Sequence, residues 1–276
     1  MRKEMDYPMQ VDRVSSLKKQ EFDEAYGFNS KPVLISDVMD DWRAKYHWTN
    51  QLISEKFGFY EEYATRVNNK NDRKLFKVSD YLNYMDDCTD PDPYYLNNCK
   101  FHLKTEMAGD YSVPGYFSSC LDLRRNEMPL ESRLSWLYIG ASNTFSGLHL
   151  DIYNTSAWNA MVSGRKRWLF YPPGQSRYLY NGLVNPFKPD LEKYPEFSKA
   201  SHITCIQDPG EVVFTPSGWW HAVMNEKAGI SLTENFINES NYDMVSATLL
   251  HLGKMEELKF VEQCMNSFLK MKSEKA

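Results

Sequence analysis

His149-Leu-Asp151 sets an imidazole and a carboxylate two residues apart, and Pro216-Ser-Gly-Trp-Trp-His221 presents a second imidazole further along the chain. On a strand, residues i and i+2 project from one face, so His149 and Asp151 can converge on a single ion. Either piece alone is weak. A His-x-acid pair arises readily by chance, and a His beside two tryptophans suits a hydrogen-bonded core position. Together they offer two nitrogens and a carboxylate oxygen, the facial set with which proteins hold non-haem iron(II) while leaving positions open for reactants. Zinc more often closes its site with a fourth protein ligand or uses cysteine, and no Cys lies close to these residues in the sequence. The expected metal is Fe(II), held by His149, Asp151 and His221, which are therefore also the catalytic candidates.

An iron oxygenase that works with O2 and 2-oxoglutarate needs a cation to anchor the distal carboxylate of that cosubstrate. Lys166 is the candidate. Ser163-Gly164-Arg165 reads as the turn of a hairpin between 156–162 and 166–171. If that loop has an even number of residues, antiparallel pairing puts Asn159 and Lys166 on one face. A Lys among Trp168, Leu169 and Phe170 calls for an anion. The plainer reading is a surface lysine in the basic run Arg165-Lys-Arg167. Thr233 and Asn235 share a face of the last predicted strand, where ordinary cross-strand hydrogen bonds are the plainer reading.

The elements that must position these residues fall into three zones. Residues 1–130 mix helix and strand signals: Lys31-Pro-Val-Leu-Ile-Ser reads as a short strand, and Ser79-Asp80 as the cap of a helix through Tyr81, Leu82 and Tyr84. Residues 131–240 are strand-dense, with β-branched and aromatic runs at 135–139, 145–151, 156–162, 166–171, 211–215 and 230–236. A looser insertion at about 174–200, rich in Pro, Tyr and Asn, interrupts them and is expected, with the 50–130 region, to line the pocket. Residues 241–276 return to helix, where Leu258, Val261, Met265, Phe268 and Leu269 recur at helical spacing. Many short antiparallel strands with turn signals imply a mainly β fold, a jelly roll or barrel with flanking helices. No repeat or Gly/Ser-rich linker divides the chain.

Composition bounds the rest. The 276 residues carry 32 Lys and Arg against 37 Asp and Glu, a net charge of -5. That balance exerts no general pull on nucleic acid and mildly favours basic, Lys- or Arg-containing polypeptides. Five scattered cysteines without C-x-x-C spacing imply free thiols in a reducing compartment, cytoplasm or nucleus. The stretch from Met1 to Asp6 is not followed by the apolar run of a secretory signal, and no run of 18 uncharged apolar residues suggests a membrane span.

Ser146-Gly-Leu-His-Leu-Asp151, Thr155-Ser-Ala-Trp-Asn159, Gly164-Arg-Lys166-Arg-Trp168, Pro209-Gly-Glu211, Pro216-Ser-Gly-Trp-Trp-His221 and Leu232-Thr-Glu-Asn235-Phe236 occur in order. This set resembles the JmjC-domain hydroxylases of the cupin superfamily, nearest the subgroup of the Jumonji-type lysyl hydroxylase known also as the phosphatidylserine-receptor protein. The likeness extends more faintly through Lys31-Pro-Val-Leu-Ile35, Trp42, Trp48-Thr49 and Asp92-Pro-Tyr-Tyr95, so it covers roughly 30–245. It implies a double-stranded β-helix, iron at His149, Asp151 and His221, and a 2-oxoglutarate carboxylate on Lys166. Ser146, Asn159 and Thr233 would add hydrogen bonds around that cosubstrate, with Tyr95 a further contributor. Strict alternation puts Ser146 on the wrong face relative to His149, so the resemblance requires a bulge or kink at Gly147. Where the nearest relatives often carry Thr and Gln, this chain has Ser146 and Glu234, and Glu234 adds a charge near the site.

The reaction implied is hydroxylation of a protein or peptide side chain, Lys or Arg among the candidates, with release of succinate and CO2. The competing readings are N-methyl demethylation, oxidation of a modified nucleoside in RNA, and a cupin that only binds a partner. The apolar stripe of residues 241–276 must be buried either back on its own barrel or against its twin across a two-fold axis, and a homodimer through C-terminal helices is the expectation.

Overall fold

The computed structural model describes residues 10–274, and the leader reading of Met1 to Asp6 lies outside the described residues. Strands β1 (Asp12–Val14) and β2 (Val33–Ile35) come first, followed by β3 (Glu61–Arg66), β4 (Asn69–Lys77) and β5 (Tyr94–Cys99). The strand-dense stretch supplies β6 (Ser135–Gly140), β7 (Phe145–His149), β8 (Ser156–Met161), β9 (Arg165–Tyr171), β10 (Ile203–Gln207), β11 (Val212–Thr215), β12 (Trp220–Lys227) and β13 (Gly229–Phe236). Helices α1 (Lys19–Phe22), α2 (Arg43–His47), α3 (Asn50–Phe57) and α4 (Val78–Asp86) lie among the first strands, while α5 (Tyr242–His251) and α6 (Met255–Ser273) follow β13.

Two sheets result, one ordered β1-β2-β11-β8-β13-β6-β5-β3-β4 and one ordered β10-β9-β12-β7. From β6 to β13 the barrel strands alternate between them, except that β9 and β10 are neighbours in the smaller sheet, which is the jelly roll that the strand pattern predicts. Every residue of β8 and β13 is buried, because one face of the larger sheet looks into the barrel and the other is covered by the amino-terminal half. That cover is aromatic: Trp42 lies 5.7 Å from Trp158 between ring centroids, Phe22 lies 4.9 Å from Phe214, and Phe117 lies 5.6 Å from Phe236. Rings buried this way contribute about 1.5–3 kcal/mol each, and they hold the wall that carries the site. No helix among the described residues is long and apolar enough to cross a membrane.

The 163–165 segment is not a hairpin. β8 pairs with β11 and β13, whereas β9 pairs with β10 and β12, so the two strands belong to different sheets. Gly164, at φ +91°, turns the chain across the barrel corner, and a Cβ there would fall 2.8 Å from the Gly229 Cα. A tight hairpin and a sheet-to-sheet corner use the same glycine chemistry, and strand alternation does not say which partner a strand takes. The helix expected after Ser79 instead begins at Val78, with Lys77 at its cap position and no side-chain cap. Ser79 lies within the first turn of this helix, where its Oγ donates to the Gly58 carbonyl.

The apolar stripe of α6 is covered by its own chain. Leu258, Val261, Cys264, Met265 and Phe268 pack with Cys120, Leu121, Ile237, Val245 and Leu249, while Leu269 points outward at 45 % exposure. The stripe itself is thus covered from within, by the turn at Cys120–Glu127 and by α5.

Candidate iron and cosubstrate site

The two imidazoles meet because antiparallel pairing sets them opposite one another. His149 ends β7, and its register partner on β12 is His221. Their ring centroids are 4.2 Å apart. Asp151 lies just past the end of β7, with Oδ1 4.0 Å from His221 Nε2. One ligand atom from each of the three residues can be chosen so that all lie within 4.8 Å of one another. Among the described residues, no fourth His, Cys, Asp or Glu joins this cluster.

Both rings are oriented by main chain. His149 Nδ1 bonds the Gly147 carbonyl at 2.7 Å, and His221 Nδ1 bonds the Trp219 carbonyl at 3.1 Å. A carbonyl can only accept, so each Nδ1 carries the proton and each Nε2 is a free lone pair, the state a metal requires. Burial pushes the Asp151 carboxyl up, while burial and the neighbouring His149 hold His221 well below the ordinary imidazole range. Asp151 Oδ2 is buried without a hydrogen-bond partner among the described residues. An orphaned carboxylate oxygen beside two neutral imidazole nitrogens fits a divalent cation, which would supply the charge that the cluster lacks. Three ligands with no cysteine among them suit iron(II) with open positions.

Ser146 reaches the same chamber because β7 is bulged. Two steps along β12, from His221 to Val223, match three along β7, from His149 to Ser146, so one extra residue is accommodated at Gly147–Leu148. The extra residue reverses the alternation and brings Ser146 to the side of His149. Both line the inner chamber.

Lys166 sits in that chamber at 3 % exposure, and no carboxylate pairs with it among the described residues. Its Nζ donates to the Tyr95 hydroxyl at 3.3 Å and lies 5.5 Å from the Tyr138 ring centroid. Burial alone lowers its pKa to about 7. Tyr95 gets this close because β5 runs beside Gly140, where a Cβ would come within 2.7 Å of the Tyr95 ring and 2.2 Å of Asn225 Nδ2. Asn159 and Thr233 are direct cross-strand partners; Asn159 Nδ2 donates to Thr233 Oγ1, and Asn159 Oδ1 stays buried and unpartnered. Asn235 lies on the same face of β13 and donates to Thr155 Oγ1 at 2.8 Å. The structure therefore brings together His149, Asp151, His221, Ser146, Lys166, Asn159, Thr233 and Tyr95, with Asn235 one step outward at the mouth. Asn159 and Lys166 face each other across the barrel from opposite sheets, not along one hairpin face.

Three participants were missed. Tyr138 stands between the chamber and the mouth, Thr215 lines the chamber wall, and Gln207 braces it from behind. Gln207 Nε2 bonds the carbonyls of Asn159 and Glu211, and its Oε1 accepts from Trp168 Nε1 at 2.8 Å. Alternation of Trp136, Tyr138 and Gly140 along β6 signals Tyr138; no sequence signal marks Gln207. Glu234 turns away from the iron side. It accepts from Tyr111 at 2.7 Å and Arg125 at 3.1 Å, so its charge is matched outside the chamber.

The chamber opens into a cavity of about 530 Å³ walled by 65–68 and Lys70, by Asn97 and Asn98, and by 182–185 of the insertion. Among the described residues, Asp151 is the only carboxylate in this lining, whereas Asn68, Asn97, Asn98, Asn185 and Asn235 supply carboxamides.

The model of the cupin-like domain matches residues 19–247. The chain belongs to that family. It is 34% identical over 251 residues to the lysine-specific demethylase JMJ21 of Arabidopsis thaliana, covering 85% of this chain and 26% of that protein. It is 30% identical over 252 residues to the bifunctional arginine demethylase and lysyl-hydroxylase psr-1 of Caenorhabditis elegans, covering 84% and 62%. It is 25% identical over 260 residues to the 2-oxoglutarate and iron-dependent oxygenase JMJD4 of Gallus gallus, covering 84% and 60%. The chain thus spans from about a quarter to about three fifths of the length of these cupin relatives.

Proposed function

We propose that this cupin is an Fe(II)- and 2-oxoglutarate-dependent dioxygenase that hydroxylates a side chain, Lys or Arg, of a protein or peptide, releasing succinate and CO2. The observation that carries this reading is a pair of unmet demands in one chamber: a carboxylate oxygen without a partner at Asp151 and a buried lysine without an anion at Lys166. A metal answers the first and a dicarboxylate the second. Bound iron would supply the oxygen chemistry, coupling oxidative decarboxylation of 2-oxoglutarate to oxidation of a substrate carbon.

The chain's own residues position and shield. His149, Asp151 and His221 would hold the metal, with the backbone carbonyls of Gly147 and Trp219 fixing both rings. Lys166 and Tyr95 would bind the distal carboxylate, and Asn159, Ser146 and Thr233 would fix the orientation of the rest. Tyr138, at the junction of chamber and mouth, would exclude water. The carboxamides of the mouth suit the backbone of an extended polypeptide, whose N–H and C=O groups need both acceptors and donors. All five cysteines are free, which supports an intracellular setting.

A second reading, N-methyl demethylation, draws support from the names of JMJ21 and psr-1. The protein supplied with iron and 2-oxoglutarate should release succinate without added substrate; no succinate above a metal-free control would overturn the oxygenase reading. Mass spectrometry of treated proteins then separates gain of one oxygen from loss of one methylene.

A further inference from the structure

Beside the mouth runs an apolar groove of about 800 Å³, between the 127–136 segment and α6. Met128, Leu134, Phe260 and Val261 form its floor. Among the described residues, four carboxylates, Glu127, Glu131, Glu256 and Glu257, also line it, against a single cation, Lys100. Lys100 is turned inward: its Nζ donates to the carbonyls of Glu131 at 2.7 Å and Arg133 at 2.6 Å. Arg124, Lys104 and Lys254 bridge Glu127, Glu131 and Glu257, yet none of these three cations is part of the lining. Glu256 makes no ion pair among the described residues.

The groove is continuous with the mouth, because Asn98, Trp136 and Ile152 line both. The link starts at the metal. Directly after Asp151, Tyr153 and Asn154 adopt φ of +51° and +62°, leaving Ile152 exposed at the junction and seating Tyr153 against the C-terminal helices. Among the described residues, the mouth offers a basic polypeptide no carboxylate other than Asp151, so recognition of positive charge falls to the groove next door.

We propose that this groove docks the segment of the substrate polypeptide that flanks the target residue, and that this segment mixes apolar and basic side chains. The inference rests on the oxygenase reading for its consequence, since docking here would deliver the neighbouring residue to the mouth. Apolar side chains would cover the floor, and Lys or Arg would meet the glutamates, which an apolar or acidic occupant would desolvate without compensation. A second copy of this chain is a poorer occupant, because an isologous contact would set one glutamate rim against the other.

The test uses the full chain and three fluorescein-labelled dodecapeptides: one alternating Lys with Leu and Phe, its twin with Glu for Lys, and a twin with Ser for Leu and Phe. Fluorescence anisotropy at moderate salt should show the first bound about tenfold more tightly than either twin, the preference fading at high salt. In the double variant Glu131→Lys/Glu256→Lys, both positions being exposed, the preference should invert toward the acidic twin. Phe260→Ser should weaken the first peptide while keeping the charge preference, with thermal melts verifying that both variants fold. Equal affinity for the three peptides, or a preference unmoved by the double variant, overturns the groove. A wild type that is dimeric by light scattering and becomes monomeric in the double variant also overturns it, assigning the surface to a second copy. Succinate release by the wild type is scored separately. Charge-dependent docking without turnover refutes the oxygenase reading alone, and turnover without charge-dependent docking refutes the groove alone.

Discussion

Lys166 and Glu234 are both buried charges on barrel strands, 3 % and 7 % exposed, and they are treated in opposite ways. Glu234 has its counter-charge at Arg125 and a donor hydroxyl at Tyr111, so the fold answers it. Among the described residues, Lys166 has a single tyrosine hydroxyl. A buried charge that is matched within the chain ties elements together, here β13 to the Cys120–Glu127 turn. A buried charge left unmatched is costly unless something from outside completes it. The contrast separates structure from site more sharply than burial does.

The comparison can be broken first at the metal. If the anion that Lys166 awaits is a metal-bound cosubstrate, then His149→Ala or Asp151→Ala should abolish turnover and iron binding, whereas Glu234→Gln should retain both. A ligand variant keeping more than about a tenth of wild-type 2-oxoglutarate consumption would undo the assignment, since one lost transition-metal ligand weakens such a site by far more than tenfold. Next comes the lysine. Lys166→Ala should raise the KM for 2-oxoglutarate about 10- to 100-fold, the loss of one charge-assisted hydrogen bond of roughly 1.5–3 kcal/mol, and leave iron affinity nearly intact. Stability should run the other way. Without ligand, Lys166→Met should melt no lower than wild type, while Glu234→Ala should lose about 1–3 kcal/mol, because Tyr111 and Arg125 are left without their acceptor. A lower melting temperature for Lys166→Met than for Glu234→Ala would reverse the comparison.

The smallest effect is on pH. Lys166 titrates near 7 in the ligand-free fold, against 10.5 ordinarily. Between those values the unfolded chain holds a proton that the fold does not, so ligand-free stability should rise with pH across that window. Below it both states are charged, and the burial penalty is fully present. A bound dicarboxylate recharges the lysine, so binding above pH 7 should take up a proton and weaken as pH rises. Calorimetry in two buffers of different ionisation enthalpy should detect that uptake in wild type and not in Lys166→Met.

Much of the site is legible in sequence because its members lie on strands, where side-chain direction follows a period of two. His149 and His221 could be singled out, and so could the need for an irregularity at Gly147 if Ser146 was to join them. The partner of each strand was less legible. Asn159 and Lys166 come together across the barrel, since the Gly164 corner changes sheets where a hairpin looked equally good. Gln207 escaped altogether, because bracing a wall through two backbone carbonyls leaves no trace in residue spacing. The α6 stripe showed which residues are buried but not against what, and the cover turned out to be Cys120, Leu121 and α5 of the same chain.

One feature of the metal cluster bears on how such a site can change over evolutionary time. Each imidazole is held by the carbonyl two residues before it, Gly147 for His149 and Trp219 for His221. Main-chain atoms are not altered by substitution. Many metal-binding histidines depend instead on a second carboxylate or amide side chain, which mutation can remove. Here the orientation of the rings is inherited with the path of the two strands. The walls of the mouth are therefore free to drift toward new substrates while the metal-binding geometry is retained, and a lineage with this arrangement can diversify its targets without rebuilding its centre.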